Sequence, residues 1–335
     1  MTDHPMPEPL LSITDLRVAF ATRGGLVRAV DGVSLEVRAG ECLGIVGESG
    51  SGKSVTFASV MGLIRPPGRI EGGSIRFGGR DLVGLDPAAY RRLRGREIAM
   101  TLQDASTSLN PALTVGTQIT EVLLAHAEDL PAGHGPRRRA ARQRAIDMMR
   151  LVGIPAAEGR LDDYPHQFSG GMRQRMMIAI ALSCRPRLLI ADEPTTALDV
   201  TIQAQVLELI AGIRATLGMS VVLITHDLGV VAEYCDRVAV LYAGQIVESG
   251  PTAQVIAAPR HPYTAGLLRS VPVLSDLDRP IQPIPGQVPD LVDLPEGCRF
   301  LPRCALAHAA CHAAVPMRGL GAGRAARCVL AEAAP

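Results

Sequence analysis

With 335 residues, a formal net charge of +1 and 47% hydrophobic residues, the chain can bury a substantial core in one large domain plus an appendage, or in two domains. The near-neutral charge gives no bulk pull on nucleic acid. The densest basic cluster, Arg137-Arg138-Arg139 with Arg142 and Arg144, is interleaved with Ala and Gln and carries no aromatic partner for base stacking, so it reads as a solvated helix face. No apolar run approaches the ~18 residues of a membrane span. The start, residues 1–9, is Pro-rich and acidic rather than basic then apolar, so a cytosolic chain without a signal peptide is expected, reaching a membrane only through partner proteins.

Residues 16–20, 27–30 and 34–37 read as strands separated by Gly-containing turns. The apolar run Cys42–Val46 predicts a buried strand, and residues 53–64 the helix that follows. Between them, Gly47-Glu48-Ser49-Gly50-Ser51-Gly52-Lys53-Ser54 fits the pattern G-x-x-x-x-G-K-S/T at every fixed position. Its glycines let the backbone form a nest of N–H donors for phosphate oxygens, a shape that side chains at Gly50 or Gly52 would obstruct. The helix start adds roughly half a positive charge. Lys53 can then bridge the outer phosphates and the Ser54 hydroxyl can ligate Mg²⁺.

Residues 74–77 read as another strand. From about residue 88 to 180 the pattern is helical, with apolar spacings of three and four over residues 119–127 and 140–152. Residues 188–191 and 221–225 are continuously apolar, as parallel strands covered on both faces read. Between them Ile202, Val206, Leu209, Ile210, Ile213 and Leu217 form one helical stripe, with Gly218 as its C-cap. Strand, helix, strand predicts an α/β nucleotide-binding core. Residues 238–242 and 245–248, split by Ala243-Gly244, predict a hairpin. Beyond about Pro259 proline becomes dense (Pro262, Pro272, Pro280, Pro283, Pro285, Pro289, Pro295, Pro302), which marks a loop-rich appendage.

Leu188-Leu189-Ile190-Ala191-Asp192-Glu193 is an apolar strand ending in two carboxylates. A phosphate loop needs a second Mg²⁺ ligand, and an Asp at a neighbouring strand tip supplies it, usually through water. Glu193 beside it is suited to orient or deprotonate an attacking water. Alone, such a pair is equally an acidic helix start; here it follows a phosphate loop and precedes Pro194-Thr195-Thr196-Ala197-Leu198-Asp199.

With Phe168-Ser169-Gly170-Gly171-Met172-Arg173-Gln174-Arg175, a second glycine-bearing helix start, the set resembles the ATP-binding subunits of ABC transporters. The resemblance implies a phosphate-loop α/β fold with an antiparallel β subdomain and a helical subdomain, and ATP bound along Gly47, Glu48, Ser49, Gly50, Ser51, Gly52, Lys53 and Ser54. It implies that Ser169, Gly170 and Gly171 contact ATP held by an opposing subunit, so pairing depends on ATP. Met172 stands where the family commonly has Gln, and with Met176 and Met177 also reads as helix packing. By the same resemblance Gln103 touches Mg²⁺ and the transmembrane partner, His226 contacts the γ-phosphate, and Asp199 communicates across the dimer. Phe20, the only aromatic of the early β-segment, stacks the adenine or is a core residue of a small sheet.

Gln103-Asp104 followed by Ser106-Thr107-Ser108-Leu109-Asn110-Pro111, the Met-Arg-Gln-Arg ending, and His261-Pro262-Tyr263-Thr264 followed by Leu267-Leu268 resemble the ATPases of dipeptide, oligopeptide and nickel importers. That branch implies an ATP-binding domain over residues 1–258, with a helical subdomain at about 105–182, and an appendage over residues 259–335. It implies MgATP hydrolysis driving uptake of short peptides at the cytoplasmic face of the membrane. Its partners would be a second, different ATP-binding subunit, two permease subunits and an extracytoplasmic binding protein. A nickel or other small-solute importer is the alternative, since cargo is chosen by the binding protein and permease. An ABC ATPase of DNA repair would carry a coiled-coil or zinc-bearing insertion, and one of translation two nucleotide domains. The tail argues against an exporter, and Glu193 with His226 against a regulator that does not hydrolyse ATP.

Of the seven cysteines, Cys42, Cys184 and Cys235 are scattered and read as small buried apolar residues. Cys298, Cys304, Cys311 and Cys328 crowd the tail with five, six and sixteen intervening residues. They lack the C-x₂-C pair of a zinc site, and stable disulfides are not expected in a reducing cytosol. Four thiolates can hold a four-iron–four-sulfur (4Fe–4S) cluster, with zinc or free thiols as the alternatives. The resemblance to this branch's C-terminal module favours the cluster, in a structural or regulatory role.

Overall fold

A computed structural model of the chain describes residues 8–103, 108–196, 198–270, 282–292 and 294–331. Residues 1–7, Asp104, Ser106, Thr107, Ala197, Pro272 and Pro280, invoked above, lie outside the described residues. The chain divides into two compact units, one of Met1–Gly84 with Leu223–Pro335 and one of Leu85–Val222.

The first unit opens with β1 (Leu11–Thr22) and β2 (Gly25–Val37), paired antiparallel along their length. They replace the three short strands expected from the glycines. Gly32 is no turn: it sits inside β2 at φ 74, near a register shift where Asp15 of β1 takes φ 47. The pair absorbs the irregularity as a bulge and continues. The fully buried β3 (Cys42–Val46) leads through the phosphate loop into α1 (Lys53–Val60). This helix is shorter than expected because Gly62, at φ 60, turns its N–H back to Ser59 O, and Pro66-Pro67 cannot continue a helix. β4 (Gly68–Phe77) and β5 (Arg80–Asp81) complete a four-stranded antiparallel sheet ordered β2-β1-β4-β5.

The second unit holds α2 (Pro87–Leu93), β6 (Ile98–Thr101), α3 (Val115–His126), α4 (His134–Leu151), α5 (Ala157–Arg160), α6 (Gly170–Leu182), β7 (Leu188–Asp192) and α7 (Val200–Leu217). β6 and β7 pair in parallel, Ile98 opposite Leu188 through Thr101 opposite Ala191. Ile119 and Leu123 of α3 and Ala141, Ala145, Met148 and Met149 of α4 are buried in the helical part. Arg138, Arg139 and Arg142 are exposed as expected, whereas Arg137 donates to Leu124 O and Ala127 O at the end of α3, and Arg144 pairs with Asp129. α7 is long and apolar enough by composition to cross a membrane, yet only one face is covered: Val206, Leu207, Ile210 and Ile213 are buried while Leu209 and Leu217 of the expected stripe are half-buried. Gly218 caps it at φ 63, donating to Arg214 O.

β8 (Ser220–Thr225) carries the chain back into the first unit, followed by α8 (Leu228–Tyr234). β9 (Arg237–Tyr242) runs parallel to β3, and β10 (Gln245–Pro251) returns antiparallel through Ala243-Gly244, the hairpin expected. α9 (Thr252–Ala257) and α10 (Pro262–Ser270) follow. The tail is largely irregular, with short 3₁₀ turns at Leu301–Arg303 and Ala309–His312. Its strands β11 (Arg318–Gly319) and β12 (Ala325–Ala326) extend the sheet, β12 pairing with β10. Cys42 and Cys235, far apart in sequence, are buried with their sulfurs 3.6 Å apart; Cys184 is half-buried, and burial pushes its thiol up.

Candidate functional site

The phosphate loop is built by close backbone approach. A Cβ on Gly47 would lie 2.1 Å from Leu241 O, and one on Gly52, at φ 97, would lie 2.4 Å from Ala29 O. Neither position accepts a side chain. At Gly50 a Cβ would meet no protein atom within 4 Å, so it is the left-handed backbone, at φ 75, and whatever binds in the loop that call for glycine there. The loop closes on itself through Ser51 N–H to Glu48 O at 3.2 Å, and on the β9–β10 turn through Gly244 N–H to Ser51 O at 2.9 Å. Lys53 is buried and donates to Gly47 O at 2.7 Å and Glu48 O at 3.0 Å. Gly52, the N-cap of α1, offers no side-chain acceptor to the helix start, and the Ser51 hydroxyl is buried without a hydrogen-bond partner. Ser54 is exposed in the first turn. An N-terminal helix turn without a cap, an unsatisfied hydroxyl and a lysine held by the loop's own carbonyls fit an anionic phosphate and its Mg²⁺.

In the same unit His226, at the end of β8, is exposed. The next residue, Asp227, caps α8 by accepting from Gly229 N–H at 2.7 Å. Phe20 is half-buried on β1, and its ring occupies the space a Gly68 side chain would need on β4.

In the second unit β7 ends on Asp192, which is buried, and Glu193 follows at φ 46. A non-glycine residue in that left-handed region costs of order 1–3 kcal/mol and is held by its surroundings. Gln103 Nε2 donates to Glu193 Oε2 at 2.8 Å, and Thr196 Oγ1 donates to the same oxygen at 2.8 Å. Gln174 is buried and donates from Nε2 to Pro194 O at 2.5 Å, fastening the segment after Glu193 to α6.

At the start of α6, Ser169 is exposed as the N-cap, its Oγ accepting from Met172 N–H at 3.4 Å. Gly170 is exposed, while a Cβ on Gly171 would lie 2.6 Å from Ile202 Cγ2, so the second glycine is required by packing against α7. Met176 and Met177 are buried as expected of helix packing; Met172 is half-buried with its sulfur near Arg160. Asp199 is the N-cap of α7, accepting from Ile202 N–H at 2.9 Å.

All four tail cysteines line one pocket, with Phe300, Leu306 and Val315 among its apolar walls. Cys298 O, Cys304 O and Cys328 O each accept from the N–H three residues on, and Cys298 N–H donates to Cys311 O at 2.8 Å. Burial, and then the other thiols, push Cys298 and Cys304 up. Among the described residues, however, no group of three or more His, Cys, Asp or Glu side chains is arranged as a metal site. The four thiols share the lining of one pocket but do not form a closed ligand shell.

The His261-Pro262-Tyr263 segment forms the start of α10. His261 is buried and lowered to about 3, first by burial and then by the charge of Arg327. Its neutral Nδ1 therefore accepts Tyr263 N–H at 3.1 Å, while the backbone N–H groups of Arg260 and His261 donate to the buried Glu248 carboxylate. Tyr263 and Arg303 of the tail both reach Glu48 of the phosphate loop. Sequence reasoning assigned no role to Thr196, Gln174, Tyr263 or Arg303. The first three stand inside quoted motifs, which was their only signal; nothing local marked Arg303.

A family model described as ABC transporter matches residues 30–196, and one described as oligopeptide/dipeptide transporter, C-terminal region, matches residues 247–311. A protein of Brucella abortus (strain 2308), provisionally named a peptide import ATP-binding protein, is 51% identical over 98% of this chain and 97% of its own. A protein of the same provisional name from Brucella melitensis biotype 1 is 51% identical over 92% of this chain and 93% of its own. Among solved structures, a dimeric ATP-binding cassette in a post-hydrolysis state, bound to ADP and Pi, matches with a TM-score of 0.64 and 25% identity over 72% of this chain and 98% of its own. A Clostridium perfringens cassette that is part of an ABC transporter complex matches with a TM-score of 0.63 and 26% identity over 75% of this chain and 91% of its own.

Proposed function

The chain belongs to the ABC transporter family of ATP-binding proteins, and we propose that it is the ATP-hydrolysing subunit of an importer that takes up di- or oligopeptides. Lys53, the loop glycines and the loop backbone bind the phosphates, with Glu48, Ser49 and Ser51 shaping the loop. Ser54, Asp192 and Gln103 hold Mg²⁺, which when bound offsets the charge of the phosphates. Glu193 orients and deprotonates the attacking water, and His226 attends the γ-phosphate. Phe20 supplies a face for adenine. Ser169 and Gly170, exposed at a helix start, serve nucleotide held by a second ATP-binding subunit, and Asp199 lies in the loop that communicates with it. Two permeases and an extracytoplasmic binding protein complete the importer, which places this chain peripherally on the cytoplasmic face of the membrane. The C-terminal family's description and the provisional names of the relatives support peptide cargo.

The observation that carries the reading is the phosphate loop, in which buried Lys53 is held by Gly47 O and Glu48 O at a helix start whose N-cap is glycine. Peptide uptake into vesicles holding the assembled transporter tests it. Uptake should require Mg²⁺ and ATP and should stop with Lys53→Ala; peptide uptake unchanged without ATP would defeat the reading. For the tail, the presence of Cys298, Cys304, Cys311 and Cys328 along the lining of one pocket is what supports a bound 4Fe–4S cluster of structural or regulatory role.

A further inference from the structure

Glu48 is held on three sides. Its carboxylate faces Arg303, whose Nη1 lies 3.0 Å from both carboxylate oxygens and whose side chain is 4% exposed. Its N–H donates to the hydroxyl of the buried Tyr263 at 2.9 Å. Its carbonyl accepts from Lys53 Nζ at 3.0 Å. Two of these three holds come from the C-terminal appendage.

The guanidinium is itself fixed in place. Nε donates to Pro285 O at 2.9 Å, Nη2 donates to Ile284 O at 3.3 Å, and Nη1 reaches the Tyr242 hydroxyl at 3.3 Å. A rigid, buried arginine with its edges satisfied by carbonyls is a positioned charge rather than a surface pair.

Position 48 is one of the unconstrained positions of the loop pattern, so phosphate binding does not itself call for a carboxylate there. An unpaired carboxylate in the loop would oppose a polyanionic ligand, and its repulsion would be only partly screened where the loop is buried. We propose that Arg303, together with Tyr263, is a positioning residue for nucleotide: it neutralises Glu48 and holds the loop backbone, so that the appendage sets the affinity of the loop for ATP. The proposal rests on the reading of this loop as the ATP site.

The test is equilibrium binding of a non-hydrolysable ATP analogue with Mg²⁺ to the full chain. Arg303→Met should weaken binding by about tenfold. Adding Glu48→Gln to Arg303→Met should bring affinity back to within about twofold of the Glu48→Gln variant alone, because a neutral side chain needs no counter-charge. Arg303→Lys, which keeps the charge and loses the fork, should fall between wild type and Arg303→Met. Tyr263→Phe, which releases the Glu48 N–H, should weaken binding by roughly threefold. If Arg303 only fastened the appendage to the core, the double variant would stay as weak as Arg303→Met, and that result overturns the proposal. Should Arg303→Met fail to fold, Arg303→Lys and Tyr263→Phe decide, and wild-type affinity in both overturns it. Wild-type protein that binds no nucleotide overturns the reading of the loop and this proposal with it; wild-type binding matched by every variant overturns this proposal alone.

Discussion

Gln103 Nε2 donates to Glu193 Oε2 at 2.8 Å, joining the segment after β6 to the segment after β7. Thr196 Oγ1 donates to the same oxygen at 2.8 Å, while Glu193 itself sits at φ 46. A carboxylate with two donors on one oxygen and a strained backbone beneath it has its direction set before any substrate arrives. Gln103 thus acts on Glu193 in this structure, in addition to the Mg²⁺ and permease contacts that the family resemblance implies for it.

Glu193→Gln should abolish most turnover while sparing nucleotide binding. The amide oxygen can still accept from Gln103 and Thr196, so the geometry survives, but the base is lost. A drop in ATPase rate of about a hundredfold or more is expected, with the paired, ATP-bound state persisting because a negative charge has left the site. ATPase assays of the assembled transporter decide it, and a wild-type rate would remove Glu193 from its proposed role.

Ser169→Arg should act on the partner's nucleotide and not on this chain's own. Ser169 and Gly170 are exposed at the start of α6, and an arginine there fills the space an opposing nucleotide would occupy. Loss of the Oγ cap costs the helix about 1 kcal/mol, too little to unfold the unit. The expected result is near-normal ATP binding to this chain with ATP-driven pairing lost, read by mixing it with its partner subunit and measuring both. Normal pairing in ATP would refute contact in trans.

The phosphate loop was legible because its chemistry is written in eight contiguous residues whose glycines answer to steric need: Gly47 and Gly52 face carbonyls 2.1 and 2.4 Å from a would-be Cβ. Strands β3, β7 and β8 were legible because full burial demands unbroken apolar runs. Gly32 misled because a glycine at positive φ marks a bulge as readily as a turn, and only the pairing of β1 with β2 tells them apart. On α7 burial takes in Leu207, off the expected stripe, because which face is covered depends on what packs there and not on apolar spacing alone. Arg303 and Glu48 are 255 positions apart. No local pattern links them, since their pairing exists only once the tail has packed.

The tail cysteines should hold iron and sulfide that the phosphate loop does not need for folding. Protein purified without oxygen should be brown, with about four irons and four sulfides per chain. Ligation contributes folding free energy directly, so Cys304→Ser should lose the colour and expose the tail to proteolysis, leaving the loop folded but weakening ATP binding as far as it loosens the neighbouring Arg303 from Glu48. Stoichiometric zinc without iron, or a colourless anaerobic preparation whose four thiols all react freely, would decide against the cluster.

Gly50→Ala and Gly47→Ala should separate binding from folding within one loop. At Gly47 a methyl group would overlap Leu241 O at 2.1 Å, and β3 and β9 cannot part without breaking their parallel ladder. That variant should lose stability by about 3 kcal/mol, the upper end of what overpacked core positions usually cost, because the opposing atom is backbone. At Gly50 the methyl meets nothing within 4 Å of protein, so the cost is the left-handed backbone alone, about 1–2 kcal/mol. Phosphate, however, would bind against the face that this methyl enters. Gly50→Ala should therefore lose no more than that backbone cost in urea unfolding while its affinity for ATP falls by at least about tenfold. Urea midpoints and ATP titrations on the two variants check the contrast. Wild-type ATP affinity in Gly50→Ala would mean that phosphate does not occupy the concave face of the loop.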